Sequence, residues 1–117
     1  MLPLVQRNEL KDLMDTGKVV VVDTMPPAYY AREHLPDAVN IPGFPYEEAA
    51  RSTDELAPTV LPDRTAPIVV YCANTPCRNS ELVGARLVSL GYTDVRKYRE
   101  GIEDWVAHGL PTQTTTG

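Results

Sequence analysis

The chain has 117 residues, 43% of them hydrophobic and 23% charged, and carries a net charge of -5 at pH 7. That is enough chain for one domain with its own core, and the composition points neither to disorder nor to a membrane span. The acidic balance argues against a nucleic-acid partner, which is bound by setting Lys and Arg against phosphates, so an anionic substrate has to be held by a local field. Met1 to Glu9 have no basic stretch and no long apolar run, so no signal peptide is expected. Both cysteines fall in one short segment, unlike the scattered cysteines of a secreted disulfide scaffold, and a cytoplasmic location is expected.

In chain order, Leu4-Val5 reads as a short edge strand. Asn8 is the expected N-cap of a helix whose Leu10, Leu13 and Met14 follow at helical spacing until Gly17. Val19 to Val22 is a run of four β-branched residues, which suits a central parallel strand covered on both faces. Asp23 stands at its carboxyl end, where open α/β sheets place their sites, although capping the next turn or pairing with a basic residue is its commoner employment. One or two helical turns follow over Ala28 to Glu33, then an extended stretch with a short strand around Ala38 to Asn40. A helix is expected over Pro45 to Ala50, and Ser52 to Ala66 reads as a polar surface loop with one turn near Leu56. Ile68 to Tyr71 is a strand. Val83, Leu87 and Leu90 then mark the apolar stripe of a helix stopped by Gly91. Val95 to Tyr98 is a short strand, and Ile102, Trp105 and Val106 face the core from a last helix closed by Gly109 and Pro111. Strands alternating with helices indicate an α/β domain with a largely parallel sheet, expected over residues 1–112 with a frayed tail at 113–117.

The chemistry concentrates between Tyr71 and Ser80. Cys72 sits where a buried strand ends, and Ala73, Asn74, Thr75, Pro76, Cys77, Arg78, Asn79 and Ser80 form a tight loop running into a helix. Backbone N–H groups of such a loop and the first N–H groups of the helix can converge on an anion, and the same field favours a thiolate. Cys72 therefore reads as a nucleophile and the loop as its anion-binding cradle. Each residue also has a plainer reading. Arg78 can pair with Glu81 across the first helical turn, and Ser80 or Asn79 can serve as N-cap. His34 suits a structural hydrogen bond and Trp105 core packing. With only His34 and His108 as histidines, Cys72 and Cys77 lack the ligands for a zinc site; no metal and no cofactor are expected.

Three pieces in this order resemble the rhodanese-like sulfurtransferase family: His34-Leu35-Pro36-Asp37-Ala38-Val39-Asn40-Ile41-Pro42 after the Asp23 strand, Val70-Tyr71-Cys72 with Ser80 and Leu90-Gly91-Tyr92, and Glu100-Gly101-Ile102-Glu103-Asp104-Trp105 with Gly109-Leu110-Pro111. The resemblance covers nearly the whole chain and implies a three-layer α/β/α fold with a mostly parallel five-stranded sheet. Glu33 stands where the family usually has Gly, Arg99-Glu100-Gly101 replaces a double-glycine turn, and Thr24-Met25 lacks an Arg common in the family. The Cys-x5-Arg spacing from Cys72 to Arg78 is similar to that of cell-cycle phosphatases and some arsenate reductases, and Cys77 is a second cysteine found in one subgroup of the family.

The resemblance implies sulfur transfer. A Cys72 thiolate takes sulfane sulfur from thiosulfate or a persulfide, with loop amides and Arg78 stabilising charge, and passes it to a thiol or cyanide acceptor or to a thiol-carrier protein. Cys77 is either a passive loop residue or a thiol that resolves the persulfide, provided the two Cα atoms lie within about 7 Å. Two alternatives stand beside it. One is phosphatase or arsenate-reductase chemistry, which needs a general acid for which only Asp23 and Glu100 are available. The other is a catalytically silent binding module on the same fold.

Overall fold

The computed structural model describes residues 2–115. Four strands, β1 (Val20–Asp23), β2 (Val39–Asn40), β3 (Ile68–Tyr71) and β4 (Val95–Tyr98), form one sheet in the order β2-β1-β3-β4, with every neighbour pair parallel. The helices are α1 (Arg7–Asp15), α2 (Pro27–Arg32), α3 (Ala49–Val60), α4 (Asn79–Ser89) and α5 (Gly101–Ala107), with a 3-10 turn at Tyr46–Glu48. Side-chain alternation along the central strands creates the three layers. Val21, Val69 and Tyr71 point to one face, where Leu10 of α1 and Ile102 and Trp105 of α5 cover them. Val22, Ile68 and Val70 point to the other, against Ala57 of α3 and Val83 and Leu87 of α4.

The expected fifth strand is reduced to a single parallel bridge between Leu4 and Lys97, with Lys97 N donating to the Pro3 carbonyl and Val5 N to that of Lys97. Pro3 has no N–H to extend the ladder, and the chain turns into α1 two residues after Val5. That helix begins at Arg7 after Gln6, so Asn8 lies inside it and is not its cap.

The expected loop over Ser52 to Ala66 is mostly helix. Ala49, Thr53 and Ala57 recur every fourth residue and bury a small-residue stripe beneath α4, while Arg86 of α4 grips Asp54 of α3 with two bonds of 2.7 and 2.8 Å. Pro58 sits in the last turn, where the missing N–H costs one bond and the helix ends soon after. At the other end of the chain, Gln113 bridges His34 and Thr115 N donates to Ala31 O, so residues 113–115 are hydrogen-bonded to the α2 segment. Residues 116 and 117 of the expected tail lie outside the described residues. No helix among the described residues is long and apolar enough to cross a membrane.

Candidate active site

Parallel pairing puts Asp23 beside Tyr71, and Tyr71 beside Tyr98, in one row at the carboxyl edge of the sheet. Cys72 is the next residue. Its carbonyl accepts the Ile102 N–H at 3.0 Å, and the Ala73 carbonyl accepts that of Glu103 at 3.0 Å, so the first turn of α5 anchors the root of the cysteine loop. This approach explains the one glycine retained from the double-glycine turn. Gly101 has φ +75°, and a Cβ there would stand 2.5 Å from the Cys72 carbonyl oxygen. Glu100, at φ -65°, needs no glycine. Nor does Glu33, whose backbone is extended at φ -165°.

Cys72 and Cys77 are joined by a disulfide with their Cα atoms 6.4 Å apart, inside the range such a bond requires. Between them the loop makes one internal turn, Cys77 N to Asn74 O at 3.3 Å. The first bond of α4 runs from Leu82 N to Arg78 O, leaving the amides of Asn79, Ser80 and Glu81 ahead of the hydrogen-bonded helix, as at any helix start.

Cys72 is only 4% exposed, yet with Cys77 it lines an open cleft of about 400 Å³. Of the expected site residues, Cys72, Ala73, Asn74, Pro76, Cys77 and Asn79 line this cleft, whereas Thr75, Arg78 and Ser80 do not. Arg78 is exposed and lies over the Tyr46 ring, 5.7 Å from its centroid. Its expected partner Glu81 reaches Lys97 instead, at 3.4 Å. Ser80 is buried in the first turn of α4, and neither it nor Asn79 is an N-cap, since Arg78 holds that position with helical dihedrals. Asn79 instead donates from Nδ2 to the Thr24 carbonyl at 2.8 Å, and that carbonyl also accepts Gly43 N at 2.9 Å. One carbonyl at the end of β1 thus ties α4 to the segment after β2.

The remaining walls come from residues that sequence reasoning did not assign to the site: Met25, Pro26, Tyr29, Phe44 and Tyr46. Pro26-Pro27-Ala28-Tyr29 and Gly43-Phe44-Pro45-Tyr46 follow β1 and β2, and in a parallel sheet the segments leaving neighbouring strands meet at one edge. Aromatic residues in those two proline-bearing exits were the available signal.

Beneath the cleft, Asp23 is fully buried. Oδ2 accepts the Tyr71 O–H at 2.7 Å, and Oδ1 accepts the Met25 N–H at 2.8 Å, which caps the turn after β1. Tyr71 in turn accepts the Leu35 N–H at 3.0 Å. Burial pushes the Asp23 carboxyl up to about 6, opposed by the hydrogen bonds from Tyr71 and Met25 and by the nearby His34. Burial, with the Asp23 charge beside it, also raises the Tyr71 phenol well above its ordinary value, so it stays a donor. His34 is buried, stacks on Tyr30 and places Nδ1 2.8 Å from the Tyr30 carbonyl, a structural role. Trp105 is a core residue whose indole N–H donates to the Pro111 carbonyl at 2.7 Å. Among the described residues, no carboxylate lines the cysteine cleft. Asp23 is committed below it, and Glu100 lines a separate depression with Arg7, Tyr98 and Asp104.

Comparison with known proteins agrees with this architecture. Residues 6–108 match the family model of the rhodanese-like domain. The chain is 31% identical over 107 residues to a sulfurtransferase of Allochromatium vinosum, covering 90% of this chain and 88% of that protein. It is also 31% identical over 107 residues to the HTH-type transcriptional regulator Rv0324 of Mycobacterium tuberculosis, covering 92% of this chain but spanning only 43% of that protein's length. The solution structure of the rhodanese-like domain of Anabaena sp. Alr3790 superposes with a TM-score of 0.77 at 22% identity, covering 97% of this chain and 80% of that one.

Proposed function

The chain belongs to the rhodanese-like domain family, and from that membership we propose that it moves sulfane sulfur from thiosulfate or a persulfide to a thiol or cyanide acceptor through Cys72. The observation that carries this reading is the Cys72–Cys77 bond on the wall of the cleft. It supports a Cys72 sulfur that accepts a second sulfur as its bonding partner at an accessible site. In the forward step a Cys72 thiolate attacks the outer sulfur of the donor; the donor's S–S bond breaks, and the donor residue leaves with the bonding pair. Unpaired amides at the start of α4 favour the charge that remains on the persulfide.

Cys77 gives the persulfide a second exit. Its thiolate attacks the Cys72 sulfur, hydrosulfide leaves with the electrons of the broken bond, and the disulfide of this structure forms. An external dithiol then reduces the disulfide and restarts the cycle, which fits a cytoplasmic setting. The phosphatase alternative is disfavoured because a leaving alkoxide needs a proton, and no carboxylic acid lines the cleft among the described residues.

The test is turnover after reduction with dithiothreitol and desalting. Thiosulfate with a thiol acceptor is expected to give sulfur transfer that falls about 1,000-fold or more in Cys72→Ala. Turnover of para-nitrophenyl phosphate without sulfur transfer would assign the site to phosphatase chemistry, and inertness toward both would leave a binding module.

A further inference from the structure

The walls around Cys72 are apolar, and they are gathered from three separate segments. Tyr29 is 55% exposed, Phe44 56% and Tyr46 41%. These are three of the six large hydrophobic side chains that stand exposed among the described residues, and all three line this cleft together with Met25, Pro26 and Pro76. Isolated exposed hydrophobics are ordinary on a protein surface; a cluster of them around a reactive group is a binding feature.

The rim is built to hold its shape. Phe44 and Tyr46 meet edge to face, with centroids 5.7 Å apart at 83°. Gly43 packs so closely on α4 that an added Cβ would stand 2.6 Å from the Asn79 carbonyl oxygen. The nearby cations lie over the tyrosine rings: Arg32 is 5.3 Å from the Tyr29 centroid and Arg78 5.7 Å from that of Tyr46. Neither guanidinium lines the cleft. Whatever carries sulfur to Cys72 therefore meets a wall formed mainly by Tyr29, Phe44, Tyr46, Met25 and prolines.

We propose that the sulfur donor of this site is an organic persulfide whose sulfur is attached to an aryl or branched alkyl group, with that group seated against Tyr29, Phe44 and Tyr46. This deepens the sulfurtransferase reading and rests on it. The step is balanced as Cys72–S⁻ plus R–S–SH giving Cys72–S–SH plus R–S⁻: the R–S–SH bond breaks, the new bond forms at Cys72, and the organic thiolate leaves. Thiosulfate still reaches Cys72, but it carries no group to fill the cleft and is expected to transfer its sulfur with a lower kcat/KM than a donor that does.

The experiment compares benzenethiosulfonate with methanethiosulfonate as stable stand-ins for the persulfide. In each, Cys72–S⁻ takes the outer sulfur, the S–S bond breaks and a sulfinate R–SO2⁻ leaves, so the two donors share the reacting sulfur and differ only in the organic group. Each kcat/KM is measured on the reduced chain and normalised to the donor's uncatalysed rate with a small thiol. Burying a phenyl group is expected to favour the aryl donor by about 10- to 100-fold. Phe44→Ala and Tyr29→Ala, both at exposed positions, should each cut that ratio at least severalfold. Val88→Ala, exposed on α4 outside the cleft, should preserve it. A ratio near one with measurable transfer would overturn the inference and leave sulfur transfer standing. A high ratio untouched by both cleft variants would also overturn it, because the preference would arise elsewhere. Absence of transfer from both donors would remove the sulfurtransferase reading, and the inference with it.

Discussion

β1 and β3 run side by side and leave the sheet at the same edge, yet their exits are held in different ways. After β1, Thr24 to Met25 is pinned by the Asp23 carboxylate, the Asn40 and Asn79 side chains and the backbone of Gly43, all buried or nearly so. After β3, only the root is pinned, by the two amides at the start of α5. The tip, with Thr75, Pro76 and Arg78 exposed, keeps one long turn bond, a solvent-exposed bond from Asn74 Nδ2 to Glu103 at 3.1 Å, and the disulfide. Hydrogen bonds in a buried network persist through turnover, whereas a disulfide is broken and remade by the chemistry proposed for it. A buried scaffold thus sets where Cys72 stands, and the tip is held in part by a bond that the proposed chemistry breaks.

The largest effect is expected at the root. Gly101→Ala places a Cβ against the Cys72 carbonyl in a left-handed backbone, and a loss of about 3 kcal/mol is expected in urea unfolding. A loss below about 0.5 kcal/mol would mean that the root is not anchored as described.

Tyr71→Phe, next in size, leaves the buried Asp23 carboxylate and the Leu35 N–H each short of one partner. It should cost about 2 kcal/mol at pH 7.5. The loss has a signed pH dependence. Asp23 keeps its proton to about pH 6 when folded and loses it near its ordinary value when unfolded. This group's contribution therefore declines as pH rises from about 4 to 6, by roughly 3 kcal/mol in the wild type, and is flat above that. Removing the phenol raises the folded pKa further, so the decline should extend past pH 6 and the variant should lose less at pH 5 than at pH 7.5. An equal loss at both would show that Asp23 does not feel the phenol.

The smallest effect belongs to the tip. Reducing the disulfide, or replacing Cys77 in Cys77→Ser, should cost no more than about 2 kcal/mol, because the closed loop is short. In turnover, however, Cys77→Ser should lengthen the lifetime of sulfur on Cys72 severalfold under matched reductant, and an unchanged lifetime would remove Cys77 from the mechanism.

The architecture was legible where burial on two faces wrote itself into composition. Val19 to Val22 and Ile68 to Tyr71 could only be central strands, and Gly17 and Gly91 mark helix ends at φ +68° and +97°. It was illegible where polar residues and a proline masked a helix. α3 buries Ala49, Thr53 and Ala57, with Leu56 and Val60 packed beside them, while Arg51, Asp54 and Glu55 face outward, and the run from Ser52 with Pro58 near its end reads as a loop. In the site, six residues from Cys72 to Asn79 fell on the cleft, as their position after a strand suggested. Arg78 did not, because a cation spaced correctly for an anion clamp found an aromatic face first. Tyr29, Phe44 and Tyr46 were missed because only the meeting of three separate segments gives them a shared purpose.

The central claim is that Cys72 carries the transferred sulfur, and the most direct measurement is peptide mass spectrometry of Cys77→Ser after thiosulfate or benzenethiosulfonate. An increase of about 32 Da on the Cys72 peptide, absent in the double variant with Cys72→Ala, is the result expected of covalent catalysis at that sulfur. Turnover that continues while the Cys72 peptide stays unmodified would contradict it.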